Sequence, residues 1–304
     1  MRRRPGSRRN LATSRPADGP SDFAAVRGHR PLRLLSHNIQ VGIATHRYRD
    51  YLTGGWKHLL PSADRDRSLA AIAPTLTHFD IIGLQEADAG SIRSRFVNQA
   101  EQLAELAELP HWAVRVNRDL GQFGKHALGL ISRIQPIQVD QCPLPGRMPG
   151  RGALVADFLW DGHPLRVIDT HLALSRRARD WQFDQLGVLC DVPGYVVVMA
   201  DFNCEPDDPG MQQWCIENGL KLPTRPPLTY PRWRPQRAID HIAVSQSLDI
   251  RGTEARPIGG SDHVPVAMSI ALPSVRWHEP TGRETDPADT ARRTSQGMRE
   301  GDKD

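Results

Sequence analysis

Residues 195–203 read YVVVMADFN, an apolar and largely β-branched run that ends in Asp201 and Asn203. Such a run is typical of a buried β-strand. Polar groups just past the end of a buried strand can meet those of neighbouring strands at one edge of a sheet, where layered folds usually place their sites. This stretch therefore predicts a fold of strands and helices with a site at a strand terminus.

Four other apolar runs end in polar residues in the same way. They are LLSH at 34–37 before Asn38, IIGL at 81–84 before Gln85 and Glu86, VIDT at 167–170 before His171, and AI at 238–239 before Asp240 and His241. We expect the five strand ends to converge on a single site.

The rest of the chain alternates short apolar runs with amphipathic stretches. The predicted strands are 32–38, 81–85, 111–116, 127–132, 137–142, 153–159, 165–170, 195–200, 239–244 and 264–270, and the predicted helices are 67–76, 91–109, 176–189 and 209–218. Ser91 is expected to cap the second helix, because apolar residues from Ile92 to Leu109 recur at helical spacing. Strands cluster between residues 111 and 170 without a helix, which favours antiparallel pairing there over a parallel doubly wound sheet.

The composition is that of a globular protein. With 304 residues, 39% of them apolar and 24% charged, the chain can bury a substantial core, which excludes disorder throughout. We expect one catalytic domain at residues 31–275, flanked by disordered polar tails at 1–30 and 276–304, because the low-complexity segments are confined to the two ends.

The net charge of +4 has its origin in the N-terminal tail. Residues 1–30 hold eight Arg and two Asp, whereas residues 277–304 hold five basic and seven acidic side chains. The body between the tails is therefore neutral. The basic tail can make non-specific, salt-dependent contacts with anionic polymers or lipid, but the neutral body argues against tight sequence-independent binding of duplex nucleic acid.

The sequence predicts neither a signal peptide nor a transmembrane segment. No apolar stretch has the length that either requires, and Arg8 and Arg9 lack the apolar segment of an export signal. The four scattered cysteines indicate reduced thiols rather than a disulfide framework. We expect a monomeric cytoplasmic protein, with a peripheral position at an anionic membrane surface as the alternative.

The polar residues at the strand ends limit the chemistry of the site. Carboxylates, amide oxygens and histidines without paired cysteines suit a hard cation such as Mg²⁺ or Mn²⁺ better than zinc. The candidate oxygen ligands are Glu86, Asp201, Asn203 and Asp262. Such a cation polarises a phosphoryl oxygen, and a nearby histidine held by a carboxylate can take a proton from water.

Seven segments, in order, resemble the endonuclease/exonuclease/phosphatase superfamily, which includes DNase I, exonuclease III-like repair nucleases, neutral sphingomyelinases and inositol polyphosphate 5-phosphatases. The segments are LLSHNIQ at 34–40, IIGLQEAD at 81–88, RGAL at 151–154, IDTHLAL at 168–174, VVMADFNCEPDD at 197–208, AIDHIAVS at 238–245 and GGSDHVPVAM at 259–268. The resemblance implies a four-layer sandwich, with two mixed β-sheets face to face and helices on both outer sides.

The resemblance also implies a role for each site residue. Glu86 and Asn38 look like the first metal site, with Asp262 as a further carboxylate close to the metal. Asp201 and Asn203 look like the pair that binds or orients the phosphate and the nucleophile.

The remaining roles belong to three polar groups and one arginine. His263 resembles the general base or a phosphate-contacting histidine, and Asp240 resembles its carboxylate partner. His171 is similar to the histidine that contacts the phosphate or assists the leaving group. Arg151 is similar to an arginine whose role the resemblance leaves open.

The chain departs from the family pattern in two places. Many members carry a carboxylate where this chain has Gln40. This side chain can serve only as a neutral ligand or as a residue that contacts the ligands. Many members also read Gly-Asn before an apolar strand, where this chain has Gly124, Lys125 and His126. A phosphate contact from that loop would come from Lys125 or His126, and the number of bound metals stays open.

Together, these observations predict a divalent-metal-dependent hydrolase of phosphodiester bonds. The substrate is expected to be a lipid or another small phosphodiester, with inositol phosphates included. An endonuclease or exonuclease of DNA or RNA is the first alternative, and a catalytically silent binding scaffold is the second. The segment TYPRWRPQR at 229–237 could stack on a base, grip a lipid head group or form a rigid surface loop, and Trp56 with residues 45–61 could face the substrate.

Overall fold

A computed structural model of the chain describes residues 30–42, 63–146 and 150–273. Apart from Arg30, the two predicted tails lie outside the described residues, and so does the 45–61 segment with Trp56.

Twelve strands in the described part of the chain form two six-stranded sheets. The first sheet has the order β11-β12-β1-β2-β4-β3 and the second the order β5-β6-β7-β8-β10-β9. The strands are β1 (Leu32–Asn38), β2 (Ile81–Asp88), β3 (His111–Asp119), β4 (Lys125–Ser132), β5 (Gln138–Pro143), β6 (Gly152–Trp160), β7 (His163–His171), β8 (Tyr195–Asp201), β9 (Leu220–Lys221), β10 (Asp240–Ser245), β11 (Asp249–Ala255) and β12 (Val266–Ala271).

Four α-helices cover the outer faces of the two sheets. They are α1 (Ala63–Leu76), α2 (Gln99–Leu106), α3 (Arg176–Cys190) and α4 (Pro209–Glu217). One apolar cluster lies between the sheets, a second joins the first sheet to α1 and α2, and a third joins the second sheet to α3 and α4. The predicted four-layer sandwich is therefore confirmed.

Both sheets are mixed. β1 pairs with β2 and β7 pairs with β8 in parallel, while the other strand pairs are antiparallel. The parallel pairs bring the carboxyl ends of four strands to the same edge of the sandwich. The antiparallel pairing expected between residues 111 and 170 is present in β3–β4 and in β5–β6–β7.

The predicted helix at 91–109 is wrong in its first half. Ser91 precedes only a short 3-10 turn, Ile92–Ser94, and the α-helix begins after Asn98, whose side chain accepts a hydrogen bond from the Ala100 amide. Arg95 and Phe96 adopt left-handed backbone conformations, with φ of 52° and 62°, which interrupts a helix at that point. Phe96 is accordingly exposed rather than part of an apolar helix face.

Two strands were not predicted, β9 and β11. β9 has only two residues, and β11 is an edge strand with charged side chains and a register shift between Ile250 and Gly252. Short or charged edge strands lack the apolar alternation by which strands are recognised. All four cysteines are free thiols, and no helix among the described residues has both the length and the apolar character to cross a bilayer.

Candidate active site

Three of the predicted site residues lie side by side on neighbouring strands of the second sheet. His171 on β7 is directly opposite Asp201 on β8, and Asp240 on β10 is opposite Asp201 on its other side. Strand pairing alone therefore places the two carboxylates and the imidazole in one row. The Nε2 atom of His171 lies 3.4 Å from Oδ2 of Asp201.

His263 and Asp240 form a hydrogen-bonded pair. The Nδ1 atom of His263 lies 2.9 and 3.1 Å from the two Asp240 oxygens, so Nδ1–H donates to the carboxylate. Burial alone would lower the pKa of His263, but the charges of Asp240 and Asp201 raise it to about 10. The ring is thus a cation at neutral pH, with its Nε2 atom 3.8 Å from Oδ2 of Asp201.

Asp201 uses its two oxygens for different contacts. Oδ1 accepts the amide of Asn203 at 3.0 Å, which closes a turn in which Asn203 has a φ of 54°. Oδ2 accepts a hydrogen bond from Nδ2 of Asn38 at 3.1 Å. Burial, followed by the neighbouring Asp240, raises the pKa of Asp201 to about 7. The carboxylate is therefore both a structural anchor and a group that can exchange a proton near neutral pH.

A β-bulge aims Glu86 into the site. Strict alternation along β2 would turn Gln85 and Glu86 to opposite faces, and Gln85 faces the other sheet, where it donates to Asp169. The register of β2 shifts between Leu84 and Ala87, and Glu86 has a φ of 52°. Its Oε1 atom consequently lies 3.8 Å from Nδ1 of His171 in the second sheet.

The loop that carries Asp262 and His263 is tied to the end of β1. Ser261 donates from Oγ to the Asn38 carbonyl at 2.6 Å, and the Asp262 amide donates to Oε1 of Gln40 at 3.2 Å. Gln40 is therefore a positioning residue for Asp262. Ser261 has a similar function and was not singled out in the sequence, because a lone serine before Asp-His carries no signal of its own.

The charge of Arg151 acts on His171. Burial, and then the charges of Arg151 and His263, lower the pKa of His171 well below its usual value, so the ring is neutral. Burial also lowers the pKa of Arg151, although Glu86 and Asp201 oppose the effect. A neutral imidazole has one donor and one acceptor nitrogen, so His171 can donate a hydrogen bond to a phosphoryl oxygen.

The remaining histidines next to the motifs have different surroundings. His37 is fully buried, with its pKa lowered to about 3 chiefly by burial, and His241 lies 3.1 Å from the Cys204 carbonyl. His126 lines the cavity beside the site, whereas Lys125, its neighbour on the strand, does not. Nη1 of Arg93 lies 3.4 Å from Nε2 of His126.

Arg93 was also missed in the sequence. Its guanidinium is buried against the carboxylate of Asp88, which accepts further hydrogen bonds from the Ser91 and Ser94 hydroxyls. The interruption of the predicted helix at 91–98 creates this buried pair. A charge pattern alone does not reveal it, because Asp88 and Arg93 are five residues apart and look like ordinary surface residues.

Segment 229–237 is held in place by contacts with the site and with the body. The Tyr230 ring lies 4.9 Å from the His263 ring, and Arg232 donates from its guanidinium to the Ile258 and Pro257 carbonyls. Arg237 pairs with Glu205. These contacts match the rigid-loop interpretation of the segment better than the interpretation as a stacking surface.

The donor set fits a hard divalent cation. Three carboxylates, those of Asp201, Asp240 and Asp262, are at least 93% buried within the same site, and burial raises the pKa of Asp201 and of Asp262. Ligand atoms of Asp201, Asp240 and His263 lie within 4.8 Å of one another. Because His263 and Asp240 already hydrogen-bond to each other, the oxygens of Asp262 and Glu86 are the better candidates for metal ligands.

The sandwich and the site together define a class of protein, the metal-dependent phosphoesterases of layered α/β architecture. The sequence model of the Endonuclease/Exonuclease/phosphatase family matches residues 35–263. The chain belongs to this family, whose members are divalent-metal-dependent hydrolases that act on phosphoester bonds.

Solved structures share the fold at low sequence identity. An endonuclease/exonuclease/phosphatase from Beutenbergia cavernae is 20% identical with a TM-score of 0.63 and covers 80% of this chain and 72% of its own. A mannosyl-6-phosphatase from Bacteroides thetaiotaomicron is 17% identical, with a TM-score of 0.59 and coverage of 79% and 99%. The sulfate-bound catalytic domain of human Nocturnin is also 17% identical, with a TM-score of 0.59 and coverage of 80% and 94%. No curated protein matches the chain by sequence.

Proposed function

We propose that this chain hydrolyses phosphodiester bonds of a lipid or another small phosphodiester by attack of water on phosphorus, with Mg²⁺ or Mn²⁺ as the cofactor. The observation that carries the proposal is the row formed by His171, Asp201 and Asp240, with His263 bound to Asp240. This row places buried carboxylates, a cationic imidazole and a neutral imidazole close to one another in a single site.

Glu86, Asn38 and Asp262 would hold the cation, and Asp201, which accepts a hydrogen bond from Asn38, would lie beside it. When bound, the cation polarises a phosphoryl oxygen and stabilises the negative charge that develops during hydrolysis. The oxygen ligands and the absence of a thiolate among them support magnesium or manganese. Burial raises the pKa of the nearby Cys204 thiol to about 12, which disfavours the thiolate form that a soft-metal site would use.

Different side chains of the site transfer protons and stabilise the charge on the phosphate. Asp201, with a pKa of about 7, accepts the proton of the attacking water. His263, held as an imidazolium by Asp240, contacts the phosphate rather than acting as the base, because it has no free lone pair to offer. Neutral His171 and Asn203 donate hydrogen bonds to the phosphoryl oxygens. As the P–O bond breaks, the leaving oxygen takes a proton from the His263 imidazolium, and Asp201 returns the proton of the attacking water to His263, whose Nε2 atom lies 3.8 Å from Oδ2 of Asp201.

A small substrate is supported over a nucleic acid. The body carries no net charge, whereas sequence-independent duplex binding depends on many Lys and Arg contacts. A cavity of about 740 Å³ adjoins the site, a volume typical of a small-ligand pocket. We also propose that the protein is monomeric and cytoplasmic, and that its basic tail gives it a peripheral contact with anionic lipid.

The experiment is a hydrolysis screen with matched variants. Bis(4-nitrophenyl) phosphate, plasmid DNA, RNA, sphingomyelin, cardiolipin and inositol phosphates are tested with Mg²⁺, with Mn²⁺ and with EDTA. The Asp201→Ala variant should lose at least about a thousandfold in rate. Asp207→Ala, in which an exposed carboxylate six residues away is removed, serves as the control and should retain activity.

Each outcome of the screen has one meaning. Metal-dependent cleavage confined to plasmid DNA or RNA would support the nuclease alternative. Absence of turnover with every substrate would support the silent scaffold. Turnover that resists both EDTA and Asp201→Ala would refute the proposed mechanism.

A further inference from the structure

A cavity of about 740 Å³ extends from the candidate active site toward α3. Its inner end is formed by Glu86, Arg151 and His171, and its outer part by Arg118 and the first two turns of α3. The scissile phosphate occupies only the inner end in the proposed function. The outer part is therefore available for another portion of the same substrate.

The cavity carries an excess of positive charge. Arg118, Arg151 and Arg177 all line it, while Glu86 is its single carboxylate. None of the three arginines forms an ion pair with a carboxylate among the residues that the structure describes. Glu86 and Asp201 act on Arg151, and a diester phosphate carries only one negative charge. Arg118 and Arg177 therefore exceed what the scissile phosphate needs.

The start of α3 has the charge pattern least favourable to an isolated helix. Arg176 and Arg177 occupy its first turn, which contains no acidic residue, and the side chain of Ser175 makes no capping hydrogen bond. The N-terminal end of a helix carries a partial positive charge, so cations there are destabilising and anions are stabilising. A bound anion would offset this repulsion.

Side chains of α3 hold one part of the cavity wall in place. Buried Gln182 accepts the Ala173 amide at 2.8 Å and donates to the Pro145 carbonyl at 3.0 Å, which ties Ala173 in the cavity wall to Pro145, the residue before Gly146. Buried Arg179 donates to the Leu174 carbonyl at 2.7 Å. A wall fixed in this way has little ordering cost on binding a ligand.

Arg177 is itself held in place at the mouth. Its guanidinium carbon lies 5.2 Å from the centre of the Trp181 ring, a cation–π arrangement. The aromatic ring holds the arginine in place and leaves its charge intact, whereas a carboxylate partner would neutralise that charge. The guanidinium is therefore positioned to bind an anionic group that enters the cavity.

We propose that this cavity binds a second anionic group of the substrate, and that the enzyme acts on phosphodiesters that carry an additional phosphate. The inference rests on the proposed function and narrows its substrate class. Arg118 and Arg177 are the specificity-determining residues, and a soluble phosphodiester and a phosphorylated lipid head group share the required chemistry.

The first test measures binding without turnover. Titration calorimetry in EDTA compares inorganic pyrophosphate binding to the wild type and to Arg118→Ala, Arg177→Ala and Arg176→Ala variants. We expect roughly tenfold weaker binding for Arg118→Ala and Arg177→Ala. Arg176→Ala removes the same charge from the same helical turn but does not line the cavity, and it should bind within about twofold of the wild type. Equal losses in Arg176→Ala and Arg177→Ala, or no loss in either, would overturn the proposal.

The second test uses substrate pairs that differ by one phosphate. Glycerophosphoinositol is compared with its 4-phosphate, phosphatidylinositol with its 4-phosphate in phosphatidylcholine vesicles, and a dinucleotide with its 5′-phosphorylated form. We expect a lower KM for the phosphorylated member, and a KM ratio that approaches one in Arg177→Ala. The pair with the largest KM ratio shows whether the preferred substrate is a soluble phosphodiester, a lipid or a nucleic acid.

The two tests separate failure of the inference from failure of the proposed function. Hydrolysis of all substrates without preference for the phosphorylated member would refute the inference and leave the function intact. Pyrophosphate binding that depends on Arg177, without hydrolysis of any substrate, would support the anion site and refute the proposed function.

Discussion

Asp201 illustrates how far a residue's type predicts its role. An aspartate two positions before an asparagine is common in turns, because its side chain can accept the following amide. In this protein Oδ1 makes that turn contact and Oδ2 faces Asn38 and His171. One oxygen of the carboxylate thus makes the turn contact, and the other faces the candidate site. Which oxygen faces which partner depends on strand pairing and could not be predicted from the local sequence.

Asp201 should make stability depend on pH in a defined direction. Its pKa in the folded protein is about 7, above the usual value near 3.9, so folding becomes less favourable as pH rises from about 4 to about 7. The Asp201→Asn variant escapes this loss. In EDTA, the difference in Tm between Asp201→Asn and wild type should therefore move in favour of the variant between pH 5 and pH 8. Asp207→Asn should show no such trend, and a trend of the opposite sign for Asp201→Asn would contradict the assignment.

Asp240 should control the charge on His263. Removing its carboxylate in Asp240→Asn eliminates the largest interaction that raises the pKa of His263. We expect that pKa to fall from about 10 by at least about one unit, and kcat to fall by about 10²–10⁴-fold. NMR titration of the imidazole in the metal-free protein measures the first effect. An unchanged titration curve would mean that the hydrogen bond to Asp240 does not set the charge of the ring.

At the scale of elements, the periodic parts of the chain were predictable and the interruptions were not. β1 was predicted with its observed bounds, and α3 was predicted to within one residue. The bulge at Glu86 and the left-handed residues Arg95 and Phe96 follow from tertiary contacts, and no apolar period marks them. The bulge lies at the candidate site because a regular strand could not turn Glu86 toward it.

The segment between β2 and α2 should depend on the buried pair of Asp88 and Arg93. Arg93→Met leaves the Asp88 carboxylate buried without its cation, which should cost about 3–5 kcal/mol in the free energy of unfolding. Arg251→Met provides a matched control, because Arg251 and Asp249 form an exposed pair at 3.0 Å that is worth at most about 1 kcal/mol. Urea unfolding measures both. Equal losses would show that the buried pair carries no special energetic weight.

At the scale of the whole molecule, metal binding should be linked to protons and to folding. Burial raises the pKa of Asp201 to about 7 and also raises that of Asp262, so at low pH a cation that binds at Asp262, in the same site as Asp201, must displace a proton. We expect Mg²⁺ or Mn²⁺ to raise the Tm, and this rise to be larger at pH 8 than at pH 6. Thermal melts with and without EDTA measure the shift. A larger rise at pH 6 would contradict the ligand assignment.

The loop that carries Asp262 and His263 is joined to β1 across most of the chain. Ser261 contacts Asn38 over a separation of 223 residues, and Asp262 contacts Gln40 over 222. During synthesis, residues 31–42 emerge from the ribosome long before this loop exists. The candidate site therefore cannot be completed until nearly the entire domain has been translated.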